Sequence, residues 1–351
     1  MQLFHDVRQA HLAGPTFLTI GNFDGIHLGH RALFRTLQQL AAATQVERAS
    51  NTSGTEASAE PNVGILTFDP HPLAVLRPEL APPILTTPQE RIELVVQMGL
   101  NLGVVQPFTH EIAALRAVEF MTLLKRHLGL HTLVVGPDFA LGRDRSGDIE
   151  RLRELGDELD YRLVVVELVE RQNASVRSSR IRELLAAGDV AAAAELLGRW
   201  YRISGTVMQG DRRGRLLGTP TANLAIPANR FLPADGVYAT RTTIRNRVER
   251  AGDAAVFYSV TNLGVRPTVD GQQHRVETHL LDFPPTGVSG DLYGETLDVE
   301  FVARLRGERR FDGVDALKTQ IQTDIAQARQ LFAENQTHMA AESQPHVDAS
   351  Q

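Results

Sequence analysis

The sequence predicts an α/β protein in two parts, a doubly wound parallel sheet followed by a small all-β barrel that ends in a helix. Three observations carry this. The chain has 351 residues, more than the ~100–200 that one core usually organises. Up to about residue 187, short apolar, β-rich runs alternate with segments of helical pattern and length, as in a parallel sheet covered on both faces. From Tyr201 the texture changes to short β-like runs separated by glycine and proline, with no long amphipathic helix before about Val314, which reads as a closed barrel.

Taken in order, Phe17 to Ile20 is a first strand, Gly21 to Gly25 breaks it, and His27 opens a helix carrying Leu28, Leu33, Leu37 and Leu40. Residues 44–62 are polar, small and poor in large apolar side chains, so they are expected to form a disordered insertion. Val63 to Phe68 is a second strand, closed by Asp69-Pro70-His71-Pro72. Further strands fall at Leu102 to Val105, Thr132 to Gly136 and Leu163 to Leu168, with helices at 88–98, 111–128 and 148–160 between them. Serines at 175–179 can cap the next helix, which Gly188-Asp189 ends, and a short helix closes at Gly198. The domains therefore read as 1–186 and 187–333, the second ending in a helix over 314–333, with 334–351 a disordered tail.

Composition narrows the function. A net charge of −6 with 22% charged residues argues against nucleic acid or an anionic membrane as partner. No cysteine is present, which excludes disulfides, cysteine-zinc sites and thiol nucleophiles. The N-terminus lacks a signal-like pattern and no run suits a membrane span, so a cytoplasmic protein is expected. Lys125 and Lys318 are the only lysines among 36 basic residues, leaving 34 arginines, and neither follows a glycine loop. A Walker P-loop is therefore ruled out, and phosphate must be met by arginine, histidine, backbone N–H groups or a metal.

Candidate sites follow from that exclusion. His27 and His30, three residues apart at a helix start and preceded by Asn22-Phe23-Asp24-Gly25, place imidazole donors beside unpaired N–H groups that suit a polyphosphate. His71 lies at the carboxyl end of the second strand, where open parallel sheets bind ligands. Asp138 sits in a glycine-bounded loop after the fourth strand. Ser178 and Ser179, with Arg182 one turn on, form a second helix start open to anions or to plain capping. In the second part, Gly210 to Gly218, with Gly214 at its centre, can arch over phosphates, and Thr221 and Asn223 just beyond it are hard oxygen ligands suited to Mg2+. Alternation over Val276 to Leu280 puts Glu277 and His279 on one strand face, opposite Val276, Thr278 and Leu280.

These motifs resemble a known family. G-N-F-D-G-I-H-L-G-H at 21–30, F-D-P-H-P at 68–72, G-P-D-F at 136–139 and S-S-R-I-R at 178–182 resemble the nucleotidyltransferase module of bacterial FAD synthetases. P-T-A-N at 220–223, N-L-G-V-R-P-T at 262–268, V-E-T-H-L-L-D-F at 276–283 and L-Y-G at 292–294 are similar to the riboflavin kinase module fused to it. The resemblance spans roughly residues 14–332 and implies ATP-dependent phosphorylation of riboflavin to FMN, then adenylylation of FMN to FAD with release of pyrophosphate. It implies small-molecule substrates and Mg2+, with oligomeric state left open. It places His27 and His30 on the ATP phosphates during adenylyl transfer, Asn22, Asp24, Ser178, Ser179 and Arg182 around that ATP, and His71 and Asp138 near the flavin. In the kinase module it places Glu277 as the base and Gly214, Thr221 and Asn223 on Mg-ATP. Thr219, Arg177 and Ala140-Leu141 depart from the family pattern, which commonly has an aromatic residue, a serine and Arg-Phe there. A related transferase with another acceptor would explain only the first module, and a flavin-storage protein would have lost the catalytic groups.

Overall fold

The computed structural model describes residues 1–51, 59–167, 169–171, 174–210, 218–248, 254–268, 271–283 and 291–342. The chain forms two units, Met1–Arg180 and Ile181–Gln351. The first contains β1 (Gln2–Phe4), β2 (Thr16–Ile20), α1 (Leu28–Asn51), β3 (Asn62–Asp69), α2 (Pro72–Leu76), α3 (Pro88–Gln97), β4 (Leu102–Pro107), α4 (His110–Ala114), α5 (Ala117–Leu128), β5 (Leu130–Val135), α6 (Ile149–Leu159), β6 (Arg162–Val165), the short pair β7 (Glu170–Arg171) and β8 (Ala174–Ser175), and the start of α7 (Ser178–Ala187). Six strands form one sheet in the order β1-β4-β3-β2-β5-β6, parallel throughout.

Both faces are covered, as the near-continuous apolar strands require. Leu18, Leu66, Val104 and Leu133 pack on Phe120, Met121 and Leu124 of α5 and Leu152 and Leu155 of α6. Their strand neighbours Phe17, Ile65, Val105 and Val134 pack on Phe34 and Leu37 of α1 and Ile92 and Val95 of α3. Helix ends follow local chemistry: Thr87 and Glu90 form a capping box at α3 with Pro88 in its first turn, and Gly129 ends α5 in the left-handed region.

Several element bounds differ from the sequence reading, among them the strand expected over 163–168, which ends at Val165. Helix α1 continues to Asn51, into the stretch expected to be disordered from residue 44. Poverty in apolar residues argues against burial, whereas Gln45, Glu47 and Arg48 are adequate helix formers and extend α1 along an exposed surface; residues 52–58 of the insertion lie outside the described residues. The helix expected over 111–128 is split into α4 and α5, because Arg116 is extended (φ −67°, ψ 158°) and begins the second helix. β1 is an added edge strand of three residues, too short to show a period.

The second unit holds most of α7, then α8 (Val190–Leu197), β9 (Tyr201–Met208), β10 (Ala222–Ala225), β11 (Gly236–Val248), β12 (Ala254–Thr268), β13 (Gly271–Leu280), β14 (Thr296–Arg306) and α9 (Val314–Glu342). The strands close into a barrel in the order β10-β13-β12-β11-β14-β9, all antiparallel. Helix α9 runs past residue 333 into the expected tail, where the Ala-, Glu- and Gln-rich sequence favours a helix; 343–351 lie outside the described residues.

The barrel interior is not wholly apolar. Beside Tyr201, Ile203, Tyr238, Leu297, Val299 and Phe301 lie Thr240, Thr242, Ser259, Thr261 and Thr278, all buried. Their hydroxyls are linked in series: Thr242 to Ser259 at 2.7 Å, Ser259 to Thr240 at 2.8 Å, Thr240 to Thr261 at 2.7 Å and Thr261 to Thr278 at 3.0 Å. Ser259 also donates to the carbonyl of Thr240 at 3.0 Å. A hydroxyl owns one proton, and a carbonyl cannot donate, so the direction of every bond is determined. Thr278 donates to Thr261, Thr261 to Thr240, and both Thr240 and Thr242 to Ser259.

Helix α9 is fixed to the barrel by packing and by two arginine forks. Ala328 and Phe332 join Ala239 and Val302 in one cluster, and Phe332 stacks on Tyr258 at 4.1 Å. Arg306 grips the buried Asp324 through Nε–Oδ1 at 3.0 Å and Nη2–Oδ2 at 2.8 Å, with Gln320 donating to the same carboxylate at 2.8 Å. Arg329 holds Asp282 in the same two-bond manner at 2.9 and 2.7 Å, which draws that carboxyl below its ordinary range. Removing one partner of a buried pair leaves an uncompensated charge and costs ~3–5 kcal/mol. Asp324→Ala is expected to destabilise the second unit by about that much, read by urea unfolding followed through Trp200, the single tryptophan; a change under ~1 kcal/mol would show that packing alone seats α9.

Candidate active sites

The first site is built at the carboxyl edge of the parallel sheet. The chain moves from β2 to β3 on one side and from β5 to β6 on the other, and a crevice opens where strand order reverses in this way. The loop after β2 is tightly wound: Phe23 (φ 47°), Gly25 (φ 88°) and Ile26 (φ 43°) all lie in the left-handed region, costly for the two larger residues. Burial of the Phe23 and Ile26 side chains holds this conformation in place. So does Asp24, whose carboxylate accepts the backbone N–H groups of Leu85 (2.9 and 3.0 Å) and Thr86 (2.9 Å). The Thr86 hydroxyl in turn accepts the Gly25 N–H at 2.8 Å. Asp24 was expected beside a nucleotide; only 4% exposed, it is turned inward to bind the 85–86 turn.

His27 and His30 emerge at the end of this loop. His27 stands just before α1 rather than within its first turn, and its carbonyl accepts the N–H of Arg31 at 3.1 Å. The two rings are stacked, 3.6 Å between centroids and 19° between planes, with Phe23 edge-on to His30 at 5.1 Å. Gly29 makes room for the stack, since a Cβ there would lie 3.1 Å from Cε1 and Nδ1 of His27. The pair is thus held rigidly beside the unsatisfied N–H groups of a long helix.

Neighbouring strand ends bring further groups. The Asn22 carboxamide lies 3.1 Å from His71 Nε2, while His71 Nδ1 accepts the N–H of Leu73 at 3.1 Å. Behind Asn22, the buried Arg91 donates from Nη1 to the Asn22 carbonyl (2.9 Å), the Thr67 hydroxyl (2.6 Å) and the Phe68 carbonyl (3.3 Å), tying the ends of β2 and β3 together. Ser178, at the first turn of α7, donates to the Asp24 carbonyl at 2.8 Å, with Ser179 beside it; Arg182 lies one turn further along that helix, past the boundary of the unit. Asp138 is exposed and paired with Arg177 at 3.0 Å, the arginine also donating to Ser175 at 3.0 Å.

The second site lies on the outer face of the barrel under α9. The register sets Asn223 opposite Glu277 on β13 and Glu277 opposite Asn262 on β12, so these polar side chains share one face across three strands. Glu277 is paired with Arg275, two residues away on that face, at 3.2 Å. The row lines one of two adjoining cavities. One of ~440 Å³ is lined by Thr221, Asp282, Tyr293 and Arg329 among others; one of ~370 Å³ is lined by Asn223, Glu277, Arg306 and Asp324 among others. Thr219, Thr221, His279 and Ile325 line both. Asn223 lies against Gly210, where a Cβ would come 2.2 Å from its Nδ2, so any larger residue there would have to displace the Asn223 carboxamide. Gly214 lies outside the described residues.

Comparison with known proteins separates the same two parts. The FAD synthetase family model matches residues 9–180 and the riboflavin kinase model residues 197–332. A bifunctional riboflavin kinase/FMN adenylyltransferase from Pseudomonas fluorescens is 36% identical, covering 94% of this chain and 96% of its own. The chain belongs to the bifunctional riboflavin kinase/FMN adenylyltransferase family. Other members from Escherichia coli K12 (35%, 93% of this chain and 96% of that one) and Bacillus subtilis 168 (31%, 95% and 99%) align over similar spans. A crystal structure of a Streptococcus pneumoniae protein described as a macrolide-efflux protein matches with a TM-score of 0.78 at 28% identity, covering 93% of this chain and 98% of that one. Among the described residues here, no helix is long and apolar enough to cross a membrane.

Within the FAD synthetase unit the structure gathers Asn22, His27, His30, His71 and Ser178 around one sheet edge and leaves Asp138 at the rim with Arg177. Within the riboflavin kinase unit it gathers Thr221, Asn223 and Glu277. Sequence reasoning missed Arg91, whose signal was an arginine adjoining the buried Ile92, Leu94 and Val95 of α3, and Asn262, visible only once the strands are in register. Asp24→Ala would strip the acceptor from the N–H groups of Leu85 and Thr86, at ~1–3 kcal/mol for each buried donor left unsatisfied. A clear fall in the thermal midpoint of the first unit is expected, with that of the barrel, followed through Trp200, unchanged.

Proposed function

We propose that this chain makes FAD in two steps, phosphorylating riboflavin with ATP in the barrel unit and adenylylating FMN with ATP in the parallel-sheet unit. The observation that carries the reading is that both constellations occur on one chain: stacked His27 and His30 at a helix start in a switch-point crevice, and Glu277 between Asn223 and Asn262 beside paired cavities. The domains divide near residue 187, consistent with family matches that end at 180 and resume at 197. The substrates are small molecules, and the work is placed in the cytoplasm.

In adenylyl transfer the FMN phosphate attacks the α-phosphorus of ATP and pyrophosphate leaves in line, so the enzyme supplies position and charge stabilisation rather than a covalent partner. The stack of His27 and His30, immobilised by Phe23 and Gly29, presents donors that need no reorganisation as charge builds on the phosphates. Asn22, Ser178 and Ser179 surround the same nucleotide, and Arg182 follows on the helix that Ser178 begins; His71 and Asp138 face the flavin, with Arg177 offered to its phosphate. Asp24 serves by holding the loop.

In the kinase step the primary hydroxyl of the ribityl chain gives up its proton to Glu277 as it attacks the γ-phosphorus, and the bond from that phosphorus to the β,γ-bridging oxygen breaks to release ADP. Two cavities with a common wall suit two substrates that react where they meet. Thr221 and Asn223 are the residues that would hold Mg2+. They fit it, because Mg2+ takes hard oxygen ligands and completes its shell with phosphates and water rather than a protein cage, and both residues line the cavity that Glu277 also lines. When bound, the ion neutralises phosphate charge.

Incubation with riboflavin, ATP and magnesium, resolved chromatographically into riboflavin, FMN and FAD, tests both steps. His30→Ala is expected to lower FAD formation by ~10²–10³-fold and leave FMN formation intact; equal loss of both would make the stack purely structural. Glu277→Gln is expected to cut FMN formation by ~10²–10⁴-fold while adenylylation of supplied FMN persists. Kinase turnover within a few-fold of the parent would show that the carboxylate serves Arg275 alone.

A further inference from the structure

Where β10 begins, its pairing with β13 needs help. The ladder runs Leu224–Val276, Asn223–Glu277 and Ala222–Thr278, and the next step back along β10 meets Thr221 and then Pro220. Proline has no N–H to donate, so ladder pairing cannot carry on through it, yet Thr221 lies at that frayed end. A side chain from β13 closes the gap: His279 Nδ1 lies 2.8 Å from the Pro220 carbonyl. A carbonyl only accepts, so Nδ1 carries the proton and the tautomer is fixed by this bond. The ring stands in the wall common to both cavities, together with Thr219 and Thr221.

We propose that His279 is a positioning residue for phosphoryl transfer, its Nδ1–H bond to Pro220 setting Thr221 against Glu277. This rests on the kinase reading of those two residues. Glu277 lies two residues before His279 on the same face of β13, and Thr221 is joined directly to Pro220. One hydrogen bond therefore links the strand that carries the base to the segment that carries the Mg-ATP hydroxyl. Without it, the segment leading into Thr221 loses a bond that ties it to β13. The nucleotide end of the reaction could then shift relative to the attacking hydroxyl, and a misplacement of that kind lowers turnover more than binding.

Three substitutions in the full chain test this. In His279→Asn the amide nitrogen occupies the place of Nδ1, two bonds from Cβ, and can still donate to Pro220. His279→Gln carries its amide further out, and His279→Leu has no donor. The kcat for FMN formation is expected to fall about tenfold in the Leu and Gln variants, the worth of roughly one hydrogen bond, with a raised Mg2+ requirement and riboflavin affinity unchanged. The Asn variant is expected to stay within about threefold of the parent. Adenylylation of supplied FMN and the unfolding midpoint seen by Trp200 serve as controls for folding. An Asn variant as slow as the Leu variant, or a Leu variant with unaltered kcat, overturns the proposal. Glu277→Gln run alongside separates the two claims: if it is silent while His279→Leu is slow, the base assignment fails and the positioning role stands.

Discussion

The guanidinium of Arg91 is the interaction on which the first site depends. It is buried beneath the sheet edge and reaches the carbonyls of Asn22 and Phe68 and the hydroxyl of Thr67, so the last residues of β2 and β3 are held at a fixed separation. Everything that faces the crevice follows from those two ends: the wound loop and the imidazole stack continue from Asn22, and His71 from Phe68. Hydrogen bonds from a charged donor are worth ~1.5–3 kcal/mol each, enough to set the geometry of a loop that contains left-handed, non-glycine residues. The second unit uses the same fork differently. Arg306 and Arg329 grip Asp324 and Asp282 and so suspend α9 above the barrel, one fork beside each cavity. A chain with 34 arginines and two lysines has adopted the planar, multidentate cation for its internal scaffolding, a task the point charge of lysine performs poorly.

Legibility from sequence divided along physical lines. The parallel sheet, the barrel and the strand-turn-helix around His27 and His30 were readable because periods of two and 3.6 and the glycine breaks are local properties. Asn223 and Glu277 were readable as a pair only through family resemblance; that they lie directly opposite one another is a matter of register, which sequence alone does not fix. The inward turn of Asp24 depends on donors 61 and 62 residues away, and Arg91 on acceptors up to 69 residues away, distances at which local pattern is silent. The ends of α1 and α9 were set too early for one reason, since low apolar content was taken for disorder although the residues there are helix formers.

The departures from the family pattern acquire physical meaning in place. Arg177 spans from Ser175 to Asp138, adding a cation where the family commonly has a neutral hydroxyl. Thr219, standing where an aromatic residue is usual, is buried and contributes to both cavities, so the smaller side chain widens the wall through which they meet.

The directed series of hydroxyls inside the barrel implies a graded tolerance to isosteric change. Valine in place of Thr242 or Thr278, at the ends, deletes one proton and one contact and leaves the others as they were. Valine in place of Thr240 removes an oxygen that both donates to Ser259 and accepts from Thr261, so the latter is left with a proton and no partner in a region closed to water. Chain evolution in this interior is therefore constrained by proton conservation: Ser–Thr exchange keeps every proton and alters only packing, while methyl-for-hydroxyl exchange is costliest at the centre of the series and mildest at its ends.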